Sequence, residues 1–102
     1  MEWYNHKTLP PMKNRREYDE NGVKTMNDKI HVIEFASEPL LIYCPDLESD
    51  LGPDNKYAVS RFVKKIETDT TTGKESTSFY YDTETMTYPA NDTIEWSYIN
   101  RN

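Results

Sequence analysis

Residues 38–46 read Glu-Pro-Leu-Leu-Ile-Tyr-Cys-Pro-Asp and hold the densest apolar run in a very polar chain. Because proline cannot donate a hydrogen bond to a neighbouring strand, Pro39 and Pro45 are expected at strand ends. The five residues between them are too few for a helix and match a strand that is buried on both faces. The sequence therefore predicts that residues 40–44 form the central strand of a small sheet.

The composition is that of a polar chain that folds into a small domain. Its 102 residues are the size of one domain, and a mean hydropathy of -0.94 requires the apolar residues to be concentrated in few places. Aromatic residues make up 13% of the chain, whereas disordered chains are poor in them, so we expect a core built largely from rings. We find no apolar run of the ~20 residues that span a bilayer and no signal-peptide pattern, and we expect a cytosolic protein without a membrane partner.

Five further stretches are rich in β-branched and aromatic residues and predict strands. The last of them alternates cleanly, which predicts that Ile94, Trp96 and Tyr98 face the core and that Ser97 faces water. Five or six short strands joined by turns predict a mainly β fold, either a curved antiparallel sheet or a small open barrel. A single helical turn near residues 12–18 leaves an α+β fold as the alternative. The five stretches are residues 30–35, 57–67, 77–81, 86–88 and 93–99.

The sequence divides into three segments of one domain that spans residues 1–102. Residues 1–11 contain two consecutive prolines, which favour an extended path, and we expect a docking arm anchored by Trp3 and Leu9. Residues 12–29 are a charged insert, and residues 30–102 contain the strand signals of the β core.

The charged insert, residues 12–29, is nearly without apolar residues. We expect either a mobile excursion, which we favour, or an exposed hairpin about the Asn-Gly turn at residues 21–22. Lys13, Arg15 and Arg16 form a basic cluster that would contact a phosphate backbone or an acidic partner. Acidic residues follow at once, so a solvated charged loop is the competing interpretation.

The second part of the chain is acidic and rich in tyrosine. Residues 30–102 carry six basic and thirteen acidic residues, a net charge of -7 that repels phosphates and makes nucleic acid an unfavourable partner. We expect Tyr80, Tyr81, Tyr88 and Glu95 to contribute to a partner-binding surface, because tyrosine is enriched at protein interfaces. The alternative is that these tyrosines only cap a thin core.

Motifs for catalysis and for metal binding are missing from the sequence. The single cysteine, Cys44, lies in the apolar run and is expected to be buried and inert. His6 and His31 do not supply the ligand set of a zinc site, and we expect a partly buried structural role for His31. The acidic loop at residues 46–52 lacks the glycine and glutamate positions of a calcium loop, so a solvated loop is expected. We therefore expect no catalytic residue, cofactor or metal, and no enzyme activity.

Four landmarks follow one another along the chain: Trp3 with the Leu-Pro-Pro of residues 9–11, the strand of residues 37–46, Tyr-Ala-Val-Ser-Arg-Phe at 57–62, and Ile-Glu-Trp at 94–96. As a set they resemble the phage and prophage proteins grouped as domain of unknown function 551. Members of that family open with a Trp and a Leu-Pro pair and close on a Trp preceded by His, where this chain has Glu. The resemblance implies a phage or prophage origin and a location in the host cytoplasm, and it implies no reaction.

These observations predict a small accessory protein that acts without catalysis by binding a host or phage protein. Modulation of a host factor is the expected role, and counter-defence and imitation of nucleic acid by the acidic face are both open. The alternative is a nucleic-acid-associated protein that uses the basic cluster at residues 13–16.

Overall fold

The computed structural model describes residues 2–21, 29–45 and 56–99. Within these ranges all regular structure is strand, and the strands form one open antiparallel sheet in a small single domain. The mainly β prediction is confirmed, with seven strands in the described ranges where five or six were expected. The strands are β1 (Met12–Asn21), β2 (Lys29–Ser37), β3 (Leu40–Tyr43), β4 (Tyr57–Asp69), β5 (Glu75–Asp82), β6 (Thr87–Pro89) and β7 (Glu95–Tyr98).

The long strand β4 organises the sheet. Its first residues pair with β3 and its remaining residues pair with β2, while β5 lies along the other edge of β4. β1 pairs with β2, β7 pairs with β3, and β6 pairs with β5. β3 is thus an interior strand, but the central position that we predicted for residues 40–44 belongs to β4. The reason is length, since only the 13 residues of β4 can serve both β2 and β3.

The sheet bends where β2 passes into β3. Ala36 lies opposite Val63, and the next pair joins Leu40 to Ser60, so three residues on one strand face two on β4. An unequal count of this kind is a β-bulge, which bends a strand and increases its twist. The Ser37 hydroxyl accepts a hydrogen bond of 2.9 Å from the Phe62 amide and donates one of 2.8 Å to the Glu38 carbonyl. A side chain therefore replaces the backbone pairing that the bulge interrupts.

The favoured expectation for the charged insert, and the helical turn near residues 12–18, were wrong over the part that the structure describes. Residues 12–21 form β1 and pair with β2 along its length, instead of forming a mobile excursion or a helical turn. The physical reason is that charged residues of β1 find opposite charges on β2, where Arg16 faces Glu34 and Asp19 faces His31. The predicted turn at residues 21–22 extends outside the described residues, as does the acidic loop at residues 46–52.

The main cluster of buried residues lies on one face of the bend, and Val32, Ala36 and Val63 are buried on the other face. Its buried members are Phe62 of β4, Tyr81 of β5 and Trp96 of β7, together with residues of β3 and its ends. Cys44 is 1% exposed, which confirms the predicted burial. The remaining buried members of the cluster are Leu40, Ile42 and Ile94.

The N-terminal arm docks on the sheet, as the sequence predicts, with Trp3 against Tyr57 of β4 and with Tyr4 against β7. Tyr4 forms a β-bridge with Trp96 and stacks on its ring with centroids 4.6 Å apart. The indole N–H of Trp96 donates to the Asn5 and Thr8 carbonyls at 3.1 and 3.0 Å. Leu9, an expected anchor, is 46% exposed. Backbone pairing and the indole, rather than Leu9, therefore hold the arm.

Of the three residues near β7 that were predicted to face the core, only two are buried. Ile94 and Trp96 are buried, but Tyr98 is 44% exposed, so its inward prediction was wrong. Ser97, expected to face water, is buried because the arm crosses it, and its hydroxyl donates a 2.7 Å hydrogen bond to the Glu2 carbonyl. A long-range contact with the arm thus overrides the local pattern.

Candidate functional site

An exposed apolar patch lies on the face of β3 and β4 that points away from the core. Leu41 pairs with Val59 and Tyr43 pairs with Tyr57, and directly opposed residues of antiparallel strands share a face. Val59 is 56% exposed and Tyr57 is 49% exposed. We call these four residues, with Trp3 of the arm, the outer patch.

The rings of the outer patch are packed together. The centroids of Trp3 and Tyr57 are 5.9 Å apart, and those of Tyr43 and Tyr57 are 5.3 Å apart, both in tilted arrangements. Aromatic pairs at such distances gain about 0.5–1.5 kcal/mol beyond the burial of their area. Three rings held together and half open to water form a stiff apolar surface, which costs little entropy to bind.

A pocket of about 640 Å³ opens beside the bulge between β2 and β3, on the edge that faces away from β4. β1 starts at Met12, opposite Ser37, and β7 ends at Tyr98, opposite Leu40. Residues 38–39 therefore have no outer strand partner among the described residues. The pocket lies in this gap between two edge strands.

The pocket combines cationic side chains with apolar walls. Lys13, Arg15 and Arg61 line it, and among the described lining residues Glu38 supplies the one carboxylate. Arg61 also donates a 2.9 Å hydrogen bond to the Ser37 carbonyl, which fixes its guanidinium at the bulge. The apolar walls are formed by Pro10, Pro11, Met12, Ala36, Leu40 and Tyr98.

Next to the pocket lies a buried carboxylate, that of Glu34. Its side chain is 1% exposed, and Arg16 binds both of its oxygens through two N–H groups. Arg15 donates to the same carboxylate at 3.0 Å and to Asp82 at 3.2 Å. The hydrogen bond from Arg16, opposed by burial and assisted by Arg15, lowers the pKa of Glu34 from its ordinary value of 4.5. The carboxylate is therefore held in its charged form.

This arrangement separates the three residues of the predicted basic cluster. Lys13 and Arg15 reach the pocket, whereas Arg16 is engaged by Glu34. Arg61 joins Lys13 and Arg15, although it lies far away in sequence. No sequence pattern points to Arg61, because its position at the pocket depends on the register between β2 and β4.

The predicted tyrosine surface is not one surface. Tyr80 and Tyr81 are neighbours on β5 and point to opposite faces, since side chains alternate along a strand. Tyr81 is 0% exposed in the core, so it is unable to contact a partner there, and Tyr88 packs against the same core. Tyr80 is half-buried on the outer face, and Glu95 is exposed on β7.

The tyrosines that do cluster on the outer face are Tyr43, which is half-buried, and Tyr57, which is exposed. A signal was present, because residues 57–59 carry apolar side chains on both faces of the strand, whereas the core cluster covers only the face of Ala58.

His31 lies between two carboxylates on the opposite face of the β1–β2 pair. Its ring nitrogens are 2.7 Å from Asp19 and 2.9 Å from Glu17. The hydrogen bond with Asp19, followed by that with Glu17, raises the pKa of His31 above its ordinary value of 6.5. Over residues 2–21, 29–45 and 56–99, no group of three or more His, Cys, Asp or Glu is arranged to hold a metal ion.

Comparison of the chain with protein-family models, with curated proteins and with solved structures found no match. The resemblance to domain of unknown function 551 therefore stays a prediction. In the part of the chain that the structure describes, no helix is long and apolar enough to cross a membrane.

Proposed function

We propose that this protein is a small, non-catalytic protein-interaction module. The outer patch is the observation that supports the proposal, because it exposes Tyr57 at 49% and Val59 at 56%. Contiguous exposed apolar surface of this kind marks protein-binding sites, and tyrosine and tryptophan are enriched in them. Packing of Tyr57 against Trp3 and Tyr43 prepares the surface for a partner without further ordering.

The partner in this proposal is a host or phage protein, and the site of action is the host cytoplasm. Both follow from the resemblance to phage and prophage proteins. Counter-defence is one role within the proposal, and the acidic character of the chain is the reason to retain imitation of nucleic acid as another.

The nucleic-acid alternative receives less support from the charges. It requires Arg15 and Arg16 to face phosphates, yet both donate to the buried carboxylate of Glu34. Their positive charge is therefore largely compensated within the sheet. We retain a protein as the proposed partner.

The proposal is tested by quantitative capture from a bacterial lysate with three versions of the purified protein. Val59→Glu places a charge in the outer patch at an exposed position, where the effect on stability is expected to be small. Thr77→Glu adds the same charge at an exposed position of β5 and is the matched control.

We expect at least one lysate protein to be retained by the wild type and by Thr77→Glu, and to be lost with Val59→Glu. A charge placed at the centre of an apolar contact is expected to weaken binding by about tenfold or more. Equal retention by all three versions, or no retention by the wild type, would contradict the proposal.

A further inference from the structure

We infer that the pocket between β1 and β7 binds a carboxylate side chain of a protein segment, with an adjoining apolar residue against its walls. The inference rests on the proposed function for the class of partner, but it concerns a different site. It is carried by the pocket's cations, two of which form no ion pair within the part of the chain that the structure describes, and by the apolar walls around them.

The first step is the charge balance at the pocket. Lys13 and Arg61 have no carboxylate within ion-pair distance among the described residues. Arg15, by contrast, is paired with Glu34 and Asp82. Against the carboxylate of Glu38, which also lines the pocket, these two cations leave the described lining with a net positive charge, although the whole chain carries -6. A pocket of this sign favours an anionic group and disfavours a cationic one.

The second step is the placement of the guanidinium. Arg61 lies at the bulge, where one of its terminal nitrogens, Nη1, donates to the Ser37 carbonyl at 2.9 Å. Its other N–H groups remain for a ligand, because a guanidinium carries five donors in a planar fork. That fork matches the two oxygens of a carboxylate. The bond to Ser37 orders the side chain in advance, which lowers the entropy that binding must supply.

The third step is the composition of the walls. Pro10 is buried, and with Pro11 it forms a stiff wall, because both residues have a fixed φ angle. Leu40 and Tyr98 add apolar surface on the β3–β7 side. The volume of about 640 Å³ falls in the range of roughly 300–1,000 Å³ that is usual for ligand pockets. A bare inorganic anion would leave these walls in contact with water, whereas an acidic residue next to an apolar one covers them.

The experiment measures fluorescence polarisation of two labelled, C-terminally amidated peptides, one of alternating leucine and aspartate and one of alternating leucine and asparagine. We expect the aspartate peptide to bind about tenfold more tightly, as charge-assisted hydrogen bonds require. Its affinity should fall as the ionic strength is raised to about 0.15 M, because the cations are partly open to water.

Two variants and one control localise the binding. Arg61→Gln and Lys13→Gln are each expected to weaken the aspartate peptide by about five- to tenfold. Lys74→Gln, in the exposed turn between β4 and β5, makes the same change in net charge and should bind like the wild type. Lys13 is exposed, so its variant tests the site even if loss of the Arg61 bond unfolds the bulge.

Equal binding of both peptides would overturn the inference, as would wild-type affinity in the Lys13→Gln variant or an equal loss with Lys74→Gln. Displacement of the peptide by inorganic phosphate at lower concentration than by acetate would identify a phosphate site and would also overturn it. The assay contains no lysate protein and leaves the outer patch intact. A failure here is therefore separate from a failure of the capture experiment.

Discussion

The Ser37 hydroxyl is the most informative single group for testing the bend of the sheet. It accepts the hydrogen bond from the Phe62 amide, and Phe62 is 0% exposed. In Ser37→Ala that amide loses its partner and is left buried without one. Water has no route to replace the hydroxyl without opening the core, because Ser37 itself is 2% exposed.

The magnitude follows from the cost of an unsatisfied buried donor. Such a group costs about 1–3 kcal/mol of unfolding free energy, and for a domain of this size that lowers Tm by roughly 5–14 °C. Ser60→Ala is the matched control, since Ser60 is also 2% exposed and only donates, to the Arg61 carbonyl at 3.1 Å. A carbonyl that loses a donor costs less than an orphaned amide, and a smaller effect of about 0.5–1 kcal/mol is expected.

The assay is thermal unfolding followed by tryptophan fluorescence, together with hydrogen exchange of the Phe62 amide. We expect Ser37→Ala to unfold at a lower temperature than Ser60→Ala and to exchange the Phe62 amide faster relative to global unfolding. If the two variants have the same Tm, or if the Phe62 amide keeps its protection in Ser37→Ala, the account of the bulge is refuted.

Three further predictions concern single side chains. Within the described residues the buried Tyr81 hydroxyl has no hydrogen-bond partner, so Tyr81→Phe should leave Tm unchanged or raise it by an amount equivalent to about 1 kcal/mol, and a drop in Tm would contradict this. Because the pKa of Glu34 is lowered, its ion pairs stabilise the fold above pH 4.5, and this contribution is lost as pH falls through the folded-state pKa. The stability of Glu34→Gln should therefore depend less on pH in acid unfolding curves. The hydrogen bonds that raise the pKa of His31 stabilise the fold fully below pH 6.5, and this contribution is lost as pH rises through the folded-state pKa. The NMR titration midpoint of His31 should therefore lie above 6.5, and it should move down in Asp19→Asn.

The strands could be predicted because their signals are local. Enrichment in β-branched and aromatic residues placed residues 57–67 and 77–81 in strands, which the structure gives as Tyr57–Asp69 and Glu75–Asp82. Consecutive residues of a strand point to opposite faces, so the separation of Tyr80 from Tyr81 was already contained in the sequence. Period-two alternation is a property of neighbouring residues and needs no knowledge of the fold.

The strand β1 and the pocket could not be predicted in this way. β1 has few apolar residues, and its pairing depends on contacts such as that between Arg16 and Glu34, which lie 18 residues apart. The pocket requires Lys13 of β1 and Arg61 of β4 to line one cavity beside the bulge, where Ser37 accepts hydrogen bonds from Arg61 and Phe62. The sequence shows which residues are charged, but the strand register decides which of them form ion pairs.

The pairing of the arm with β7 has a consequence for the order of folding. The bonds from Trp96 to Asn5 and from Ser97 to Glu2 join residues 91 and 95 positions apart, almost the full length of the chain. Loop closure over such separations is slow, and during synthesis the arm must wait until β7 has left the ribosome. We therefore expect the pairing of the arm with β7 to be a late step of folding, and until it forms the ring of Tyr4 is accessible to chaperones.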